Sequence, residues 1–160
     1  MKNNRVIQGF VGCVVLLAGF LPAFAGDSLY GKVTEVRSAD VVILDNGHAQ
    51  YVIRIIGIDV PKDGPIASEA KQFVAKLVLG KNARMRLGSR AENGDMVARL
   101  LTDDPVIGIK DVGLELMRAG LARRQKGEDS QFDYKYGELT KAENQAREGK
   151  RGLWAPAQSK

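Results

Sequence analysis

An arginine and an aspartate five residues apart bracket an isoleucine-rich run, Arg54-Ile55-Ile56-Gly57-Ile58-Asp59-Val60-Pro61. Such a run favours burial, and a charge taken out of water needs a partner or a task. A guanidinium near a carboxylate is either a plain ion pair or part of a site that handles charge, so the chemistry is expected here. Strict alternation along a strand sends these two positions to opposite faces, and a shared site therefore demands a bend or bulge between them. Gly57 is the residue that permits one, and a kink is predicted there. The lone histidine, His48, falls in a turn with no metal-ligating or triad companion close in sequence. It is read as a solvated turn residue.

The elements that must hold these charges follow from local pattern. Tyr30 to Val36, Val41 to Leu44 and Gln50 to Ile58 read as three antiparallel strands, with Asp45-Asn46-Gly47 as a hairpin turn. A helix opens at Pro65 and carries Ala70, Phe73, Val74, Leu77 and Val78 on one face before Gly80. Ala83 to Leu87 alternates, with Arg84 and Arg86 on one face, and Asn93-Gly94 turns the chain into Met96 to Thr102. Ile109, Val112, Leu116 and Met117 mark a second helix closed at Gly120. Arg123 to Ser130 is expected as a basic loop, and Tyr136, Leu139, Ala142 and Ala146 form the face of a third helix. Five strands and three helices give an α+β, mainly β fold, a five-stranded Greek-key OB barrel with helical additions.

Residues 1–25 are read as a secretory signal peptide. Lys2 and Arg5 charge its start, Val6 to Leu21 is apolar apart from Gln8, and Ala23 and Ala25 supply the small residues of a cleavage site. An uncleaved anchor is the weaker reading, because a spanning helix needs about 20 apolar residues. Cleavage after Ala25 leaves a single domain over residues 26–160, placed in the periplasm or secreted, with no membrane attachment and expected to be a monomer. The only cysteine, Cys13, leaves with the signal, so the domain is held by its core. Its remaining charge, near +3, suits a polyanionic partner without requiring one.

The order of several blocks resembles the staphylococcal nuclease (thermonuclease-like) family. That family reads V-x-D-G-D-T, R-L-x-G-I-D-A-P-E, G-P-E-A-S, an L-x-x-x-G-L-A helix end and A-E-x-x-A-R-x-x-x-x-G-L-W. The chain carries Val36 to Val41, Arg54 to Lys62, Gly64-Pro65-Ile66-Ala67-Ser68, Leu116 to Ala122 and Ala142 to Trp154 in the same order. The resemblance implies an OB-fold barrel and Ca²⁺-dependent cleavage of DNA and RNA. It also implies that Asp40 and Asp59 are metal ligands, that Val60 contributes its backbone carbonyl, and that Arg54 braces the phosphate. Two aspartates suit a hard cation, a glutamate would activate water, and two arginines would stabilise charge on phosphorus oxygens.

Two of those parts are replaced. Lys62 stands where the family has its glutamate, and a lysine with a pKa of about 10.4 cannot take a proton from water at neutral pH. The second arginine's place falls to Asp95 or Met96, and Arg99 lies too far along the strand to substitute. Any Ca²⁺ affinity is therefore expected to be weak. Asp63, next to Lys62, is the candidate substitute base. The expected function is a weakened or inactive nuclease homologue that binds nucleic acid, DNA or RNA, or another polyanion. Arg84, Arg86, Arg123 and Arg124 would track phosphates, and Tyr134 or Tyr136 would offer a stacking face. An active Ca²⁺-dependent endonuclease and an envelope-associated oligosaccharide- or protein-binding module are the alternatives.

Overall fold

The computed structural model describes residues 28–106, 108–125 and 134–156. Its elements in chain order are β1 (Ser28–Ser38), β2 (Val41–Asp45), β3 (Gln50–Ile55), β4 (Ile58–Asp59), α1 (Pro65–Val78), β5 (Asn82–Arg90), β6 (Met96–Thr102), α2 (Val112–Ala119), β7 (Arg123–Arg124) and α3 (Tyr134–Glu148). A 3₁₀ turn, Gly152–Trp154, follows. Five strands close a barrel in the order β1-β2-β3-β6-β5. Every pairing is antiparallel except β3 with β6. With the three helices this is the expected OB-type α+β fold.

The long strand β1 is what allows closure. Its first half, from Ser28 to Lys32, pairs with β5, and from Lys32 onward it pairs with β2. Register shifts at Val33/Glu35 and Val36/Ser38 bend it between the two partners, as bulges do at barrel corners. Alternation then places side chains as the pleat requires: Ala83 and Met85 of β5 are buried, whereas Arg84 and Arg86 face outward.

The helices seal this barrel through apolar faces at helical spacing. Ala70, Val74 and Val78 of α1, Leu116 and Met117 of α2, and Leu139, Ala142 and Ala146 of α3 are all buried. Among the described residues no helix is long and apolar enough to cross a membrane. The signal segment, residues 1–25, lies outside the described residues.

Three sequence expectations change. The third strand does not run through to Ile58: β3 stops at Ile55, and β4 resumes beyond the turn in a separate two-stranded sheet with β7. Gly57 causes this, at φ +77, and a Cβ there would lie 2.6 Å from Leu139 Cδ1, so the kink requires glycine for both conformation and space. Arg123 and Arg124, expected in a loop, form β7 against β4. Ile109, expected on the face of α2, is 64% exposed. The Asp111 carboxylate accepts the Leu114 N–H at 3.0 Å and starts that helix at Val112, which leaves Ile109 in the preceding loop.

Candidate functional site

Asp40 is the second residue of the tight turn between β1 and β2, and its carbonyl accepts the Ile55 N–H at 2.8 Å, tying the turn to the end of β3. Arg54 lies opposite Val41 in the β2–β3 ladder, which brings its Nη1 to 3.6 Å from Asp40 Oδ2. The chain bend at Gly57 then returns Lys62 to the same carboxylate, with Nζ 3.0 Å from Oδ2. Ser38 Oγ donates to Oδ1 at 2.6 Å. From the far side, Asp95 Oδ2 meets Arg54 Nη2 at 3.3 Å and accepts from Asn93 Nδ2 at 3.0 Å. Lys62, Asp40, Arg54 and Asp95 therefore form a line of alternating charges whose formal sum is zero.

The two signs are not equally accessible. The side chains of Lys62 and Arg54 are 68% and 44% exposed, those of Asp40 and Asp95 only 10% and 16%. An approaching anion meets cations first, but each cation already shares its charge with a carboxylate beneath it. Burial pushes the Asp40 carboxyl upward. The Ser38 and Lys62 hydrogen bonds and the Lys62 charge outweigh it, and its pKa sits below the ordinary carboxylate value.

The other sequence candidates are distributed around this line. Asp59 lies in β4 with Arg123 as its cross-strand neighbour, and among the described residues its carboxylate joins no ion pair. Val60 is buried and lines the cleft beside Asp40. Asp63 is exposed in the short link before α1 and has no hydrogen bond to the Asp40 line among the described residues. Arg84 stacks on Tyr30 at 4.4 Å and Arg86 pairs with Ser28, both at the opposite end of β1 from Asp40. Arg123 lies 5.4 Å from the Trp154 ring, and the Arg124 N–H donates to Glu143 Oε1 at 3.2 Å. The side chains of Tyr134 and Tyr136 lie outside the described residues. Arg99 is committed elsewhere, with Nε 2.8 Å from Asp111 Oδ2.

Sequence reasoning left the occupant of the second arginine's place open between Asp95 and Met96. Of the two, Asp95 is the one whose side chain faces Arg54, with Oδ2 3.3 Å from Nη2.

The donor set can be tested against a hard divalent cation, which takes six to eight oxygen ligands. Among the described residues no group of three or more His, Cys, Asp or Glu side chains converges. Asp40 Oδ2, the oxygen best placed to bind, is already engaged by an ammonium and a guanidinium. As arranged, these residues do not fit Ca²⁺ unless Lys62 moves away. The arrangement can instead offer a phosphate two partly neutralised cations.

Comparison with known proteins bears on the same residues. The model of the staphylococcal nuclease homologue family matches residues 52–156, well over half of the chain. That span includes Arg54, Asp59, Lys62 and Asp95 but begins after Asp40, whose place in the site rests on geometry. A probable endonuclease LCL3 of Verticillium alfalfae is 33% identical over 111 residues, covering 64% of this chain and 38% of its own. A probable staphylococcal-like nuclease CAN1 of Oryza sativa subsp. japonica is 29% identical over 136 residues, covering 84% of this chain and 37% of its own. A probable endonuclease LCL3 of Saccharomyces cerevisiae is 32% identical over 110 residues, covering 64% and 40%. The chain spans less than half the length of these relatives. With the five-stranded barrel and Arg54 against Asp40 already in place, the match establishes that the chain belongs to the staphylococcal nuclease homologue family.

Proposed function

We propose that this nuclease-like domain is exported and acts by binding nucleic acid through its phosphates, cutting it slowly or not at all. The observation that carries this reading is the Lys62 ammonium, 3.0 Å from Asp40 Oδ2. A protonated amine cannot accept a proton from water, and it opposes a cation at the same oxygen. Asp95 adds to the deficit by drawing charge from Arg54. Ca²⁺ then binds weakly, and the loss of a general base alone lowers the rate by about 10²- to 10⁴-fold.

The experiment is to incubate the purified protein with DNA and RNA, in Ca²⁺ and in chelator, following retention and cleavage together. Expected is retention that falls steeply between low and physiological salt, as phosphate contacts require, with cleavage little changed by chelator. Robust Ca²⁺-dependent hydrolysis overturns the reading. The alternative, an active endonuclease, is favoured by the names of the relatives, and Asp63 would be its base. Hydrolysis abolished by Asp63→Ala is the signature of that alternative.

A further inference from the structure

Beside Asp40, between the β1–β2 turn and the start of α1, lies a cleft of about 270 Å³. Arg37, Ser38, Asp40, Lys62, Ser68 and Lys71 line it, three cations against one carboxylate. That carboxylate is already neutralised by Lys62 and Arg54. Arg37 shares its charge with Glu35 at 3.5 Å, but both side chains are more than half exposed, so water screens the pair. Lys71 has no carboxylate partner among the described residues.

The helix that carries Lys71 adds to the field. Gly64 at its N-cap has no side chain to bond the first N–H groups, and the first turn contains no acidic residue. By contrast, α2 is capped by Asp111. Ala67, in that uncapped first turn, forms part of the cleft wall.

We propose that this cleft binds a phosphate monoester, held by Lys71, Lys62 and Arg37 with the Ser68 hydroxyl, without a metal. Its volume of about 270 Å³ is room enough for a phosphate group and its immediate attachment. Its charge fits the same ligand. A monoester carries about −1.5 to −2 at neutral pH, and the lining sums to two net positive charges. Resting on the nucleic-acid reading above, the natural carrier is the phosphorylated end of an oligonucleotide, with Arg54 facing the strand that follows.

The test uses the full chain in chelator, titrated with inorganic phosphate and with matched oligonucleotides ending in phosphate or hydroxyl. The expected preference for the phosphorylated end is about tenfold, the equivalent of one charge-assisted hydrogen bond. Lys71→Glu should erase that preference, bringing the affinities for the two ends to within about twofold of each other, a spread too small to be one such bond. Lys141→Ala, on the exposed face of α3, should change neither. Equal affinity for the two ends, or a preference that survives Lys71→Glu, overturns the proposal. If no oligonucleotide binds, the nucleic-acid reading fails, but the cleft remains testable. Inorganic phosphate should then still shift the backbone amide resonances of Ala67 and Ser68 in the wild type and not in Lys71→Glu, and no shift in either protein overturns the cleft as well.

Discussion

Asp40 and Asp111 are each 7% exposed and each lies against a cation, but the cations stand in different places. The partner of Asp111 is Arg99, whose side chain is only 21% exposed and whose Nε lies 2.8 Å from Oδ2. Its other oxygen caps α2, so one carboxylate ties β6 to a helix start. Through Arg99 Nη2, 3.8 Å from Glu138, the same cluster reaches α3. The partners of Asp40, Arg54 and Lys62, open toward solvent and tie together only a turn, a strand end and a loop. Protonation differs in the same way. Burial pushes the Asp111 carboxyl above the ordinary value despite the Leu114 N–H and Arg99, whereas the donors around Asp40 win against burial. Equal exposure thus hides a structural acid and a site acid, and the accessibility of the partner separates them.

The largest effect expected is on stability. Asp111→Ala removes both a helix cap and the carboxylate beside a mostly buried guanidinium, at a cost of about 3 to 5 kcal/mol. Asp40→Ala should cost about 1 kcal/mol or less, because its partners can be solvated instead. Urea unfolding of the two variants measures both, and equal costs would break the distinction.

Next in size is the response to Ca²⁺. Lys62→Glu trades the ammonium for a carboxylate, and saturating Ca²⁺ at about 100 times its Kd should then stabilise the variant by about 2.7 kcal/mol. Thermal melts in Ca²⁺ and in chelator read this directly. A shift as large in the wild type would mean that Lys62 does not guard Asp40.

A smaller effect follows pH. The folded pKa of Asp111 lies above its unfolded value of 3.8, so its contribution is full below pH 3.8 and is lost as pH rises through the raised value. For Asp40 the folded pKa lies below 3.8, so its contribution is full above that pH and is lost as pH falls through the lowered value. Carboxyl carbon shifts followed by NMR should give midpoints on opposite sides of 3.8. Midpoints in the reverse order would overturn the assignment of roles.

The smallest expected effect is that of salt. At 1 M the screening length is about 3 Å, so the cost of Asp40→Ala, whose cations are open to solvent, should shrink while that of Asp111→Ala persists. Parallel salt dependence would place the two carboxylates in equivalent surroundings.

Much of this molecule is legible before folding, wherever the pattern is local. Alternation in β5, the apolar faces of α1 and α3, the kink at Gly57 and the blocks shared with the nuclease family each depend on residues a few positions apart. Tertiary structure was needed where partners are distant in the chain. That Asp95 rather than Met96 faces Arg54, across 41 residues, depends on the parallel β3–β6 register. That Arg123 and Arg124 form a strand depends on β4 having left the barrel. The cleft beside Asp40 exists only once the β1–β2 turn and α1 come together. Local spacing fixes which face a side chain takes, but the register between remote segments is set by closing the barrel around one core, and no short window of sequence contains that constraint.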